Sequence, residues 1–218
     1  MLCELHVHTT ASRDSLLTPK ELLEICQRKG LERVAITDHN TIAAALHLKE
    51  MDPQRIIVGE EVRTDRGELI AYFLTAPLPV GRSPEETIAA VRAQGGVVGA
   101  SHPLDRFRHE ALRREALLPL LGLLDFLEGL NARCLRPADN TAAQALARQH
   151  GLPITAGSDA HCAWELGRAV MDLSPFDSPA SFLESLRRGQ VRGHTSPCWV
   201  HILSTYAKIA SRLRSAPY

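Results

Sequence analysis

Seven short motifs rich in metal-binding side chains are spaced along this chain, each where an apolar, strand-like run should end. They are His6-Val7-His8, Asp14, Asp38-His39, Glu60-Glu61, His102, the stretch Glu128 to Cys134, and Asp159-Ala160-His161. In a βα barrel the functional site lies at the C-terminal ends of the strands. Nearly every one of these residues falls at such an end, so one fold would gather them at one mouth.

The segments between the motifs support that architecture. Apolar runs predict strands over 2–7, 33–37, 55–62, 68–74, 97–101, 124–130, 153–156 and 169–173. Helical spacing predicts helices over 19–29, 41–51, 110–121, 138–150, 181–188 and 200–213, and one that opens at Ser83-Pro84 and stops at Gly95-Gly96. The first helix has clear boundaries: Thr18 is placed to cap it, Pro19 takes the first helical position, Glu21 completes a capping box, and Gly30 ends it. The strand over 68–74 should pair locally with the one before it. About seven βα units in one domain predict an α/β protein with a mainly parallel sheet closed into a distorted (β/α)7 barrel. With no internal repeat, low-complexity tract or linker, residues 1–218 read as a single domain. The segment over 200–213 reads as a terminal amphipathic helix used for packing.

Bulk properties remove several function classes. Lys+Arg and Asp+Glu are both 25, giving a formal net charge of zero. That balance, without an aromatic-basic stripe, disfavours long nucleic acid as a partner. No apolar run approaches the roughly 20 residues of a membrane span. The first residues enter a strand directly, without the basic and apolar regions of a signal peptide. The five cysteines are odd in number and form no CxxC pair. Reduced thiols and a cytoplasmic location are therefore expected.

The chemistry of the motifs points to metals. His6 and His8 are two apart on a strand, so both side chains share a face and can grip one ion. The apolar runs "VAIT", "IIVG", "VVGAS" and "PITAGS" deliver Asp38-His39, Glu60-Glu61, His102, and Asp159 with His161. Imidazole and carboxylate ligands without thiolate suit Zn, Mn or Fe. A carboxylate shared between two cations would bridge them, and a water held there is a hydroxide at neutral pH.

The motifs "HVHTTASRDS", "ITDHN", "VGEEV", "SHP", "LEGLNAR" and "GSDAH" resemble those of the PHP (polymerase and histidinol phosphatase) family of metal-dependent phosphoesterases, from residue 4 to about 170. The resemblance is to the stand-alone enzymes, since no polymerase extension is present. It implies two or three divalent metal ions at the barrel mouth. His6 and His8 would bind the first with Glu61 and Asp159, with Glu61 bridging. Asp14, His39 and His161 match the ligands of another, and His102 would serve a metal bridged by Glu61. Asp38 would orient a ligand from behind, and Glu60 would face away. Two departures stand out. Ile70 occupies a position where some relatives carry histidine, and Asn131, Ala132, Arg133 and Cys134 occupy the region where trinuclear relatives carry a further ligand. Cys134 is expected to be a bystander.

The leading expectation is hydrolysis of a small phosphate ester, monoester or nucleotide diester, by a hydroxide on the metals. Asp159 and His161 belong to its catalytic set, with His161 or His102 available to assist proton transfer. Arg133 would stabilise transition-state charge if it clamps phosphate, the other reading being a surface ion pair; Arg168 and Arg13 are weaker candidates of the same kind. Two alternatives stay open: an amidohydrolase-type C–N hydrolase, and a metal-stabilised binding module without turnover. No lysine at a strand end is available for the carboxylated lysine usual in the former.

Overall fold

The computed structural model describes the backbone of residues 1–214 and side chains through residue 211. The strands are β1 (Leu2–Val7), β2 (Arg33–Ile36), β3 (Ile56–Arg63), β4 (Glu68–Tyr72), β5 (Val97–Ala100), β6 (Phe126–Asn131), β7 (Ile154–Gly157), β8 (Ala169–Asp172) and β9 (Gln190–Gly193). The helices are α1 (Pro19–Lys29), α2 (Ala43–Met51), α3 (Pro84–Ala93), α4 (Arg113–Leu117), α5 (Pro137–Gln149), α6 (Pro179–Arg188) and α7 (Val200–Arg214). In space the strands run β7-β6-β5-β4-β3-β2-β1-β8-β9. The His8 amide donates to the Ala160 carbonyl at 2.9 Å, and Val7 forms a bridge with Ala160. These contacts bring the end of β1 to the chain leaving β7 and nearly close the sheet into the expected barrel.

The sheet is less parallel than its sequence suggests. β1, β2 and β3 are parallel, as are β5, β6 and β7. β4 is antiparallel to both neighbours, because the short turn after Arg63 cannot hold a crossover helix. β8 and β9 add an antiparallel pair beside the first half of β1, and β9 carries no strand signal above its polar surroundings.

Local signals set the helices. At α1 the Thr18 side chain accepts from the Glu21 amide, Glu21 reaches back to Thr18, and Gly30 closes the helix at φ 66°. The helix expected over 110–121 is shorter. The Glu110 carbonyl accepts from the Glu68 amide at 2.8 Å and the Pro103 carbonyl from the Arg113 amide at 3.1 Å. The loop after β5 is thereby tied to the barrel rim and stays out of helical geometry until Arg113. Among the described residues no helix is long and apolar enough to cross a membrane.

Two apolar layers hold the barrel. Val34, Ile36, Ile56, Val58 and Val98 pack outward against the helices. Cys3, Leu5, Ala35, Ile57, Ile70, Tyr72, Val97 and Phe126 fill the interior. Phe182 of α6 plugs the floor, its ring edge-on to Tyr72 at 5.8 Å. Since side chains alternate along a strand, Ile57, Ile70 and Phe126 share their faces with Glu61, Glu68 and Glu128. Ile70 lies directly opposite Glu61, so the apolar filling reaches up to the level of the carboxylates.

Candidate metal centre

β1 carries His6 and His8 into the barrel mouth, both fully buried. Their Nε2 atoms lie 3.1 Å apart. The far side of each ring is fixed. His6 Nδ1 donates to Glu128 Oε1 at 2.9 Å. His8 Nδ1 lies 3.2 Å from Ser12 Oγ, which itself donates to Asp38 Oδ1 at 2.6 Å. Both rings are therefore held in the tautomer that turns an Nε2 lone pair inward, the usual support for a metal-ligating imidazole. Asp38 orients His8 in this way, through Ser12, and also accepts from the Thr9 amide and hydroxyl, each at 2.7 Å.

The carboxylates converge on the same point. Glu61 Oε2 lies 3.4 Å from His6 Nε2, 3.3 Å from His8 Nε2 and 3.2 Å from His39 Nδ1. Asp159 Oδ1 lies 3.6 and 3.3 Å from the same two Nε2 atoms. Asp14 stands between His39 Nε2 at 3.6 Å and His161 Nε2 at 3.5 Å. His102 Nε2 meets Glu61 Oε1 at 2.8 Å. Glu61 Oε2, Asp159 Oδ1 and Asp14 Oδ1 are buried without a hydrogen-bond partner. A buried, unpartnered carboxylate oxygen is costly, and three aimed into one nest of imidazoles fit divalent cations. Seven of the eight residues expected as ligands fall in overlapping groups centred on His6-His8-Glu61, His8-His39-His161 and His6-His102-Asp159, and Asp14 joins them through His39 and His161. Two of them carry backbone strain: Asp159 has φ 52° and His102 φ 30°. Strain of this kind gathers where geometry serves a site.

Electrostatics bind the cluster. Burial would raise the Glu61 carboxyl, but His6 and His102 hold it well below the usual carboxylate range. Burial likewise opposes ionisation of Asp159, and Arg108 and His6 override it. Burial would lower His8, yet Asp159 and Glu61 lift it to about 9. His161 moves the other way: burial and the nearby Arg133 push it down to about 3. The shift favours the neutral imidazole, the form that can ligate a cation.

Glu68 and Arg108 carry no sequence signal for the site, and Glu128 stands out in the sequence only as the first residue of a motif. Glu68, at the start of β4, places Oε1 3.6 Å from His39 Nδ1 and Oε2 3.9 Å from His102 Nε2. It forms a further possible ligand group with His39 and Glu61. Burial and then Glu61 raise its carboxyl to about 8. Glu128 holds His6 and also accepts from the His102 amide at 2.7 Å. Arg108, in the loop after β5, donates to Asp159 Oδ2. Ile70, by contrast, is buried in the barrel interior. Glu68 is the carboxylate that the same strand places near His102.

The remaining candidates are placed as follows. Glu60 points away from the cluster, accepting from the Leu78 amide at 2.9 Å. Cys134 sits apart, near Asp105 and Asp139, with its thiol pushed up to about 12 by burial. Arg133 lies on the cavity wall, but its guanidinium donates to the Val200 carbonyl at 3.3 Å and Ser204 Oγ at 2.6 Å, both on α7. Arg168 stacks on Trp164, 4.3 Å from the ring centre. Arg13, Arg63, Arg108, His109, His201 and Lys208 join Arg133 in lining a cavity of about 710 Å³ over the cluster. His201 and Lys208 belong to α7, which the sequence assigned to packing alone.

A distorted barrel with a buried nest of histidines and carboxylates at its mouth defines the class: a metal-binding βα-barrel protein. The family models match accordingly, the PHP domain over residues 4–130 and the PHP-associated region over residues 137–191. The chain belongs to the PHP domain family. It is 33% identical over 198 residues to an uncharacterized protein of Methanocaldococcus jannaschii, a match covering 86% of this chain and 79% of the relative. Its fold is similar to that of a two-domain protein from Bacteroides vulgatus described as containing a predicted PHP-like metal-dependent phosphoesterase, with TM-score 0.73, 20% identity and 89% of this chain covered. The match spans 65% of that longer protein. It is also similar to an amidohydrolase from Chromobacterium violaceum with bound sulfate, with TM-score 0.63, 16% identity, and 86% and 97% of the two chains covered.

Proposed function

We propose that this protein, acting as one catalytic unit, is a metal-dependent hydrolase of small phosphate esters. The observation that carries the reading is the pair of inward-facing Nε2 atoms of His6 and His8 set against the unpartnered oxygens of Glu61 and Asp159. Divalent cations held by His6, His8, Glu61 and Asp159, and by Asp14, His39 and His161, would neutralise phosphoryl oxygens and acidify a water for attack on phosphorus. Glu68 and His102 offer Glu61 a further group for a third ion. Manganese, iron or zinc suits these donors.

The protein's own groups do the rest. Glu128 and Ser12 hold the two histidines in the tautomer that binding requires. Arg108 keeps Asp159 ionised and stands at the cavity, placed to meet phosphoryl oxygens that gain charge in the transition state. Arg133 we assign to holding α7 against the cavity rather than to clamping phosphate. His161, neutral and engaged with Asp14, is a ligand, not the general acid.

Arginines and a lysine around the mouth of a chain with zero net charge favour an anionic ester over a neutral amide. The C–N alternative lacks its usual lysine: Lys208, the lysine among the described lining residues, is on α7 and 60% exposed. A panel of p-nitrophenyl phosphate, bis-p-nitrophenyl phosphate and cyclic amides, assayed with manganese, iron or zinc, tests the proposal. Turnover of a phosphate ester supports it; turnover of amides alone overturns it.

A further inference from the structure

α7 presents one face to the cavity and the opposite face to solvent. His201, Ser204, Thr205 and Lys208 line the cavity, at the three- and four-residue spacing of one helix face. Ile202, Tyr206 and Ile209 are exposed on the other side. The helix is pinned at two points near its start. Arg133 donates to the Val200 carbonyl and the Ser204 hydroxyl. Trp199, just before the helix, packs on Trp164 of the loop after β7, ring centres 4.8 Å apart.

This anchoring aims Lys208 at the cluster. Its Nζ lies 3.3 Å from Asp14 Oδ2, the same carboxylate that meets His39 and His161. Lys208 is 60% exposed, so it reaches Asp14 from the solvent side. Asp14 is buried but the lysine stands in water, so solvent screens the pair from that side. A lysine ammonium is also a mobile point charge on a flexible stem, free to follow an anion. Arg13 and Arg63 line the same cavity, whose 710 Å³ lies within the range of small-ligand pockets.

We infer that Lys208 is a substrate-recognition residue that leaves Asp14 to hold a phosphoryl group entering over the cluster, so that α7 forms one wall of the substrate site. Lys208 attracts the anion and contributes one charge-assisted hydrogen bond to it. It exchanges no proton and breaks no bond. This role rests on the phosphoesterase reading.

Isothermal titration of the metal-loaded protein with inorganic phosphate tests it without turnover. Lys208→Met should weaken phosphate binding about tenfold or more, the scale of one hydrogen bond to a charged group. Lys208→Arg should stay within about threefold of wild type, since the charge is kept. With an ester substrate, Lys208→Met should raise KM far more than it lowers kcat. The chain's two tryptophans are both in the α7 anchor, so their emission reports whether the helix stays seated, and it should not change in either variant. Unchanged phosphate affinity in Lys208→Met, or weakened affinity accompanied by altered tryptophan emission, overturns the recognition role. If wild type hydrolyses no phosphate ester while Lys208→Met still loses phosphate with emission intact, the recognition role stands and the hydrolase reading falls.

Discussion

His6 and His8 face each other through their Nε2 atoms at 3.1 Å, while each ring's Nδ1 is engaged behind it. Two imidazoles in that relation, with Glu61 and Asp159 oxygens within 3.6 Å, repel unless a proton or a cation lies between them. His8→Ala and Asp159→Asn should therefore each lower turnover by roughly three orders of magnitude or more, several kcal/mol of lost transition-state stabilisation. Circular dichroism should show the fold retained, because the barrel is held by the apolar layers. Near-wild-type kinetics in both variants would contradict the ligand assignment.

Glu68→Gln separates a dinuclear from a trinuclear centre. Its carboxylate is the group that could complete an ion shared with Glu61 and His102. Removing it should cost the weakest-held ion, read as metal per chain, and lower activity by about ten- to a hundredfold, the scale of a supporting ligand group. Cys134→Ala should leave metal content unchanged, since Cys134 stands outside the cluster. Loss of an ion in Cys134→Ala but not in Glu68→Gln would reverse the assignment.

The barrel, most of its element order and the eight residues that cluster at its mouth were legible because each strand announces itself by an apolar run and ends in a polar motif. The failure at Glu68 has a single cause. The mouth collects the ends of the parallel strands, but β4 is antiparallel to β3 and β5, so its first residue lies there instead. Ile70 drew attention for its position in the sequence, yet it is the next residue inward from Glu68 on the same face. Arg108 was hidden for another reason: it stands between the strand over 97–101 and the helix expected over 110–121, in a segment with no motif of its own. Nor does α7's amphipathic pattern reveal that a face rich in His201, Ser204 and Lys208 covers a site and not a core.

Glu60 should make stability fall as pH rises. It is buried with one oxygen bonded to the Leu78 amide and the other unpartnered. Burial lifts its carboxyl from 4.5 to about 7. A carboxyl raised in the folded state stabilises fully below its unfolded value, and that contribution is lost as pH climbs through about 7. Glu60→Gln keeps the acceptor for Leu78 and removes the charge. The variant should match wild type near pH 4.5 and melt higher at pH 8, by roughly 2–4 °C for each kcal/mol recovered. An equal difference at both pH values would show that ionisation is not the cause.

Gly157 should tolerate no side chain. A Cβ placed there would lie 2.3 Å from His6 Cβ and 3.1 Å from Glu128 Oε1. Gly157→Ala should therefore push β7 from β1 and disturb both His6 and its support. We expect a loss of about 1–3 kcal/mol in stability, measured by urea unfolding, with weaker metal retention. A variant as stable and as well metallated as wild type would show that β1 and β7 are not packed so closely.

Metal content measured beside activity tests the central claim most directly. Protein stripped with chelator and freed of it should hydrolyse no phosphate ester, and stepwise return of manganese, iron or zinc should restore turnover from the second ion per chain onward. The same titration of His8→Ala should restore none. Full activity in protein shown by elemental analysis to carry no metal would contradict the account.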